Sequence, residues 1–276
     1  MTKVNKQKSV LARTDNGSIQ LTFRLPWAEI EKSKKNVILE HAKDTVVKGF
    51  RKGKAPLDKV EEKIGKDHIL DHALTQTIPP YFTKALNEHK INPIMYPKFE
   101  LVSAEEGKDW EIRATTAEMP AFELGDYKKI IKNSKTKEGS EKESVIIDLL
   151  IKSIDLNIPN ILVEQEVNER LSSLLSRIEK LGLTLESYLT SIKKTSEDLR
   201  VEYTESAIRS IKLDFILLAI SKAENILVED EEIEAFINAA KANSSLSQNL
   251  DKEDQKALVH TLLKKQKVIT YLTNLV

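Results

Sequence analysis

Near the N-terminus, apolar and polar residues alternate in the pattern of a β-hairpin. Every second residue from Ile19 to Leu25 is apolar, which is the period of a strand with one buried face. The dipeptide Asn16-Gly17 precedes this run and favours a tight turn, because both positions tolerate a positive φ. The sequence therefore predicts a first strand over about residues 9–14 that pairs with a second strand after the turn.

The residues that follow show the longer period of helices. A helix is predicted from Pro26 to about Val47, a short one from Pro56 to Gly65, and a longer one from about Asp67. Proline suits the start of the first two helices, where its missing N–H would lack a helical partner in any case. Inside the third helix, Pro79-Pro80 is predicted to kink or break the chain, because an internal proline costs about 3 kcal/mol.

Two more alternating runs follow the helices, over about residues 98–104 and 110–117. The order of two strands, helices and two strands predicts an α+β domain, which we assign to residues 1–126. Residues 127–144 are rich in Lys, Ser and Glu, and we interpret them as a linker. The remainder, residues 145–276, is predicted to be an all-α domain with helical arms.

Apolar residues in the second half of the chain recur at spacings of three and four. This predicts helices over about residues 159–181 and 196–222, the latter opened by a variant capping box at Thr195. Another helix begins at the acidic run Glu229–Glu232, because negative charge is favourable at the positive end of the helix dipole. A polar loop over residues 243–250 then precedes the last helix.

The composition narrows the functional classes. The chain has 276 residues with 43 basic and 43 acidic ones, so it lacks the global field that would attract nucleic acid or membranes. It has no cysteine, which excludes disulfides, thiolate metal sites and cysteine nucleophiles. No apolar run approaches the roughly 20 residues of a membrane-spanning helix, and the N-terminus lacks the apolar stretch of a secretory signal. We therefore expect a soluble, cytoplasmic protein without a membrane partner.

Few residues offer catalytic or metal-binding chemistry. His68 and His72 lie four apart on a predicted helix, with Asp67 and Asp71 beside them, a spacing that can place two imidazoles on one metal. No third ligand lies at metal-binding spacing, so we interpret the pair as part of a solvated helix face. No acid and base are paired in the manner of a catalytic site. The sequence accordingly predicts no catalytic residue, no metal, no cofactor and no enzymatic activity.

The segment Gly49-Phe50-Arg51-Lys52-Gly53-Lys54 stands out between two predicted helices. From Thr45 to Leu57 the chain carries four basic residues and no acidic one. The segment is not a phosphate-binding P-loop, because only three residues separate its glycines and Ala55 follows the lysine. A solvated turn is the simpler interpretation, but it leaves Phe50 as an apolar residue among cations. That combination suits a surface of acidic backbone and apolar protein, such as a ribonucleoprotein.

This segment, together with Ala55-Pro56, resembles the ribosome-docking signature of the trigger factor family, the bacterial ribosome-associated chaperones. Further matches to the family follow at Ile91-Asn92-Pro93, Pro120, Leu124-Gly125-Asp126-Tyr127, Leu156-Asn157-Ile158-Pro159, Val163-Glu164-Gln165-Glu166 and Ala223-Glu224-Asn225-Ile226. In the family, an FKBP-type prolyl isomerase domain follows the Gly-Asp-Tyr segment. Here Tyr127 leads into the predicted linker, so the resemblance does not extend to isomerase activity.

The resemblance implies an ATP-independent chaperone that docks beside the ribosomal tunnel exit and holds nascent chains during folding. The residues it assigns to docking on ribosomal protein and RNA are Gly49, Phe50, Arg51, Lys52, Gly53 and Lys54. The helical arms of residues 145–276 would hold unfolded or nascent polypeptides, and weak homodimerisation is left open. Two alternatives remain: a prolyl isomerase of the trigger factor type, and an adaptor that binds ribosomes without holding clients.

Overall fold

Two units make up the chain. In the computed structural model, which describes residues 9–133, 141–242 and 252–276, the first unit ends at Met119 and the second begins at Pro120. The division lies before the boundary expected after residue 126, so the segment 120–126 belongs with the helical unit. No helix in these described ranges is both long enough and apolar enough to cross a lipid bilayer.

The described part of the first unit is a four-stranded antiparallel sheet with helices inserted between its second and third strands. Its elements are β1 (Val10–Arg13), β2 (Ile19–Leu25), α1 (Trp27–Ala42), α2 (Leu57–Ile64), α3 (Lys66–His89), β3 (Lys98–Ser103) and β4 (Trp110–Thr116). The strands lie in the order β1-β2-β4-β3, with Leu21 opposite both Leu11 and Ala114. The α+β order predicted from the sequence is confirmed.

Alternation along the central strands creates one buried face of the sheet, and α3 covers it. The core comprises Ile19, Leu21, Phe23, Leu25, Trp110, Ile112 and Ala114 of the strands with Ile78, Phe82 and Ala85 of α3. The ring of Phe82 lies 6.5 Å from that of Phe23 and 5.4 Å from that of Phe99, measured between centroids. Because each buried apolar side chain of this size contributes about 1.5–3 kcal/mol, this face fixes α3 on the sheet.

Of the predicted kink or break at Pro79-Pro80, the break was wrong, since α3 runs without interruption from Lys66 to His89. The two prolines cannot donate helical hydrogen bonds, but burial of apolar residues before and after them in the helix compensates for this loss. Ile78 and Phe82 are buried against the sheet. In the turn before the prolines, the Thr77 hydroxyl donates a hydrogen bond of 2.6 Å to the Ala73 carbonyl. Tertiary packing therefore overrides the local cost of proline.

The described part of the second unit is helical, as predicted. Its helices are α4 (Tyr127–Lys132), α5 (Glu141–Ser153), α6 (Asn160–Lys180), α7 (Leu185–Ile192), α8 (Ser196–Ala223), α9 (Asp230–Ala242) and α10 (Lys252–Thr273). The capping box at the start of α8 is confirmed: the Thr195 side chain accepts from the Asp198 N–H, and the Asp198 carboxylate accepts from the Thr195 N–H at 2.9 Å. Helix α7 has no counterpart among the predicted helices, and the loop predicted over residues 243–250 lies outside the described residues.

The linker predicted over residues 127–144 was wrong in the part that the structure describes. Residues at both of its ends are helical, in α4 and in the first turn of α5, while residues 134–140 lie outside the described ranges. Tyr127 and Ile131 are four residues apart, so they share one face of α4, and both are buried in a core that includes Leu150 of α5 and Ile216 of α8. The surrounding lysines concealed this short apolar pattern in the sequence.

A network of hydrogen bonds and one ion pair connects α4 to the ends of α8 and α10. The Tyr127 and Tyr271 hydroxyls each donate a hydrogen bond of 2.8 Å to the Glu224 carboxylate, and the Lys128 ammonium lies 2.7 Å from it. The hydrogen bond from Lys128, followed by those from the two tyrosines, lowers the pKa of Glu224 from 4.5 to about 2. The carboxylate therefore stays ionised in the folded protein at pH values where it would be protonated in the unfolded chain.

Replacement of Glu224 by glutamine is expected to lower the free energy of unfolding at pH 7 by about 1–3 kcal/mol, because the two tyrosine hydroxyls and the Lys128 ammonium lose a charged acceptor. The folded-state pKa of Glu224 is depressed, so its contribution is present above pH 4.5 and is lost as the pH falls toward 2. Urea unfolding of both proteins at pH 7 and pH 3 measures this, with the exposed Glu205→Gln as control. The difference between Glu224→Gln and wild type should shrink at pH 3. An equal difference at both pH values would show that the charge has no such role.

Candidate functional site

The basic loop, residues 48–54, joins α1 to α2 and rests on a small apolar core. Val37 and Ile38 of α1, Val60 of α2, and Ile69 and Ala73 of α3 form this core. Val47 and Ala55, which flank the loop, pack against the same cluster. The base of the loop is therefore fixed on three helices, while the residues between its two anchors all lie exposed.

Two successive turns shape the basic loop. The Phe50 N–H donates to the Val47 carbonyl at 3.0 Å, and the Lys54 N–H donates to the Arg51 carbonyl at 2.9 Å. Gly49 and Gly53 occupy the third position of their respective turns with φ values of +89° and +77°. Residues other than glycine rarely adopt this backbone conformation, so the two glycines give the loop a defined shape.

The turns present an aromatic ring among cations. Phe50 is 44% exposed, although an apolar side chain of this size is usually buried. Lys48, Arg51 and Lys54 make no ion pair with the residues that the structure describes. The Lys52 ammonium lies 2.8 Å from the Asp44 carboxylate and, through this hydrogen bond, lowers the pKa of Asp44. Three cations are therefore available to a partner without breaking any contact within the described chain.

Asp44 is a neighbour of the basic loop that the sequence did not reveal. It lies just before the stretch in which every charged residue is basic. It contacts Lys52 only because the loop folds back toward the end of α1. The backbone confirms this return, since a Cβ atom on Gly53 would lie 3.5 Å from the Lys43 carbonyl oxygen.

The remaining candidate residues, an acidic run and a histidine pair, lie on helices or at their starts. The acidic run Glu229–Glu232 precedes and opens α9, where the Glu232 carboxylate accepts a hydrogen bond of 2.9 Å from the Glu229 N–H. This matches its interpretation as the start of a helix. His68 and His72 lie on α3 with their ring centroids 6.1 Å apart.

A second candidate surface lies at the turn between α6 and α7. Helix α6 ends with a Schellman motif, in which the Leu183 N–H donates to the Ile178 carbonyl and the Gly182 N–H to the Glu179 carbonyl. Leu181 is 73% exposed and Leu183 is 48% exposed on either side of the glycine. We refer to these two residues and the partly exposed Leu185 as the leucine tip.

An apolar groove adjoins the leucine tip. Its volume is about 280 Å³. Helices α6, α7 and α8 line it with Leu171, Leu174, Leu175, Leu185 and Leu199, and the first turns of α8 add Ser196, Glu197 and Arg200. Leu174 and Leu199 are buried there, whereas Leu175 is 46% exposed. Together the groove and the tip offer largely apolar surface that no other described residue covers, and surface of this kind is typical of a binding site.

Two protein-family models together match nearly the whole chain. The model of the bacterial trigger factor N-terminal region matches residues 7–147, and the model of the trigger factor C-terminus matches residues 127–274. Each model covers more than half of the chain.

This chain belongs to the trigger factor family.

Individual trigger factors are similar over part of their length. The trigger factor of Bdellovibrio bacteriovorus is 32% identical over 154 residues, which cover 56% of this chain and 33% of the relative. That of Marinobacter nauticus is 35% identical over 130 residues, which cover 47% of this chain and 30% of the relative. The chain thus spans about a third of the length of these curated relatives.

A solved structure supports the fold of the whole chain. It is described as "Promiscuous Substrate Recognition in Folding and Assembly Activities of the Trigger Factor Chaperone", and it aligns with a TM-score of 0.61 over 97% of this chain and 99% of its own. The sequence identity is 12%, so this likeness concerns the fold alone. The two trigger factor models overlap on residues 127–147, the interval that contains α4 and the start of α5.

Proposed function

We propose that this protein is an ATP-independent chaperone that docks on the ribosome through the basic loop and holds unfolded or nascent chains on its helical unit. The observation that carries the proposal is the exposed Phe50 among unpaired cations, on a loop with a fixed base, in a chain of the trigger factor family.

The basic loop has the chemistry for a surface of RNA and protein. Lys48, Arg51 and Lys54 can each replace a counterion on ribosomal RNA, because none of them is paired within the described chain. Phe50 can insert into an apolar depression on a ribosomal protein, where aromatic and arginine residues contribute most of the binding energy. The two glycine turns fix the backbone of the loop before binding, which reduces the entropy lost on docking.

The helical unit has the chemistry for weak and unselective holding of clients. The leucine tip is apolar and exposed, and five of the eight residues that line the adjoining groove are leucines, so most of the surface offered to a client is apolar. Binding to such a surface gains little from any one side chain and costs the client its chain entropy, so complexes should exchange rapidly. This exposed apolar surface favours the chaperone over an adaptor that only binds ribosomes.

Co-sedimentation of the full chain with bacterial ribosomes tests the docking step. We expect the protein to pellet with ribosomes at low salt and to dissociate progressively as salt rises, because counterion release drives the cationic contacts. The same gradient run without ribosomes serves as the control. Absence from the ribosome pellet at low salt would refute the proposal.

We expect no prolyl isomerase activity in this chain. The reaction requires a concave apolar pocket that twists the X-Pro bond over a barrier of about 18–20 kcal/mol. In the family such a domain lies between the N-terminal and C-terminal regions, and here the two family models overlap on residues 127–147. A refolding assay limited by proline isomerisation measures the activity, with an FKBP-type enzyme as positive control. Acceleration at catalytic concentrations of the chain would contradict this expectation.

A further inference from the structure

Three histidine rings from two helices lie together in the first unit. His41 belongs to the last turn of α1, and His68 and His72 belong to the first half of α3. The ring centroid of His41 lies 6.1 Å from that of His68 and 5.5 Å from that of His72, and the latter two are 6.1 Å apart. The structure therefore supplies a third imidazole beside the pair whose spacing already suits a metal.

Packing between α1 and α3 brings the third ring into place. Val37 of α1 and Ile69 of α3 are buried in the same core. His41 is one helical turn after Val37, and His72 is one turn after Ile69, so both rings emerge at the same rim of this contact. No sequence spacing links residue 41 to residues 68 and 72, which is why the sequence alone indicated two ligands and no third.

The distances between the rings are close to those of a coordinated set. Zn–N bonds of about 2.0–2.1 Å at tetrahedral angles place the centroids of two bound imidazoles about 5 Å apart. In the structure as it stands, the rings of His68 and His72 are nearly parallel, at 13°, and no three side chains among the described residues are gathered in a metal-binding arrangement. Coordination therefore requires the rings to rotate and to approach by about an ångström.

Such a rotation meets little resistance. His68 and His72 are exposed and His41 is partly exposed. None of the three rings makes a hydrogen bond or an ion pair with the part of the chain that the structure describes. Metal binding would then break no described polar contact.

We propose that His41, His68 and His72 bind one divalent transition metal of the zinc, nickel or copper class. Imidazole nitrogen is a preferred ligand of these ions, whereas magnesium and calcium prefer oxygen. Three protein ligands leave a position for water, so the site is open. The metal would join the end of α1 to α3 at the base of the basic loop, where the Thr45 N–H donates to the His41 carbonyl at 2.9 Å.

Zinc titration of the untagged full chain against a chromophoric chelator tests this proposal. We expect saturable binding of one Zn²⁺ per chain, a visible spectrum of tetrahedral type when Co²⁺ replaces it, and a higher unfolding temperature with metal. His41→Gln and His68→Gln should each weaken binding by at least about tenfold, since even loss of an outer-shell partner costs that much. His260→Gln, a histidine of α10 in the other unit, is the matched control and should bind as wild type does.

Two outcomes of the zinc titration would overturn the proposal, and so would one outcome of a comparison with Mg²⁺. One is the absence of saturable binding to the wild-type chain. The other is wild-type affinity in His41→Gln, with circular dichroism showing that the variant is folded. Equal affinity for Mg²⁺ and Zn²⁺ would also contradict it, because imidazole ligands do not favour the harder ion.

Discussion

Replacement of Phe50, Arg51 and Lys52 together by alanine is expected to abolish ribosome binding and to leave the fold unchanged. All three side chains are exposed and lie between the two anchors of the basic loop, so the core that supports the loop is not altered. If Phe50 and Arg51 each contribute about 2 kcal/mol, as central interface residues often do, their joint loss weakens binding about a thousandfold. Co-sedimentation with ribosomes measures binding, and circular dichroism with thermal unfolding measures the fold.

A matched variant controls for the loss of charge and of an aromatic ring. Tyr96, Lys84 and Lys98 are exposed residues of the same unit, and their joint replacement by alanine removes the same number of cations and one ring. This control should pellet with ribosomes as the wild type does. Wild-type pelleting of the loop variant, or equal loss in both variants, would show that the basic loop is not the docking site.

Single substitutions in the loop should not be equivalent. Lys52 is already paired with Asp44 at 2.8 Å, whereas Arg51 has no ion pair within the described ranges. Binding of Lys52 to phosphate must first weaken the contact with Asp44, so Arg51→Ala is expected to reduce ribosome affinity more than Lys52→Ala does. The same pelleting assay compares the two.

Polar substitution of the leucine tip is expected to remove most of the holding activity. Leu181 and Leu183 are 73% and 48% exposed, so Leu181→Ser with Leu183→Ser should change the free energy of unfolding by no more than about 0.5 kcal/mol. Each leucine loses roughly 1 kcal/mol of apolar contact with a client, so affinity for unfolded chains should fall about tenfold or more. Light scattering of a denatured model protein diluted into buffer with the full chain measures this loss.

The chain itself offers a matched control for the leucine tip. Leu227 and Leu258 are 68% and 45% exposed in the same unit, close to the values of the tip residues. The double variant Leu227→Ser with Leu258→Ser removes comparable apolar surface away from the groove and should suppress aggregation almost as the wild type does. If both double variants lose the same amount of aggregation suppression, clients do not bind at one localised site. If the tip variant suppresses aggregation as the wild type does, the leucine tip is not a client site.

The elements that the sequence predicted well are those whose own pattern determines their structure. Alternation over 19–25 led to a strand, and the capping box at Thr195 led to the start of α8. The errors came where tertiary packing decides. Burial of Ile78 and Phe82 keeps α3 intact across its two prolines, and burial of Tyr127 and Ile131 turns an apparent linker into α4.

The candidate sites divide in the same way. The basic loop could be predicted, because its glycines, its cations and Phe50 are neighbours in the sequence. The pairing of Lys52 with Asp44 depends on how the loop folds back, and the approach of His41 to His68 depends on how α1 packs on α3. Periodicity shows which residues are apolar but not which remain exposed, so the leucine tip required the structure as well.

Photo-crosslinking on ribosomes that carry a nascent chain tests in one experiment whether the protein docks through the basic loop and holds the chain at the leucine tip. A photo-reactive amino acid replaces Leu183 at the leucine tip of the full chain, which is added at a concentration too low to capture free clients. We expect a crosslink to the nascent chain that disappears when Phe50, Arg51 and Lys52 are also replaced by alanine. A crosslink of equal yield in the loop variant, or none in a protein that still pellets with ribosomes, would contradict it.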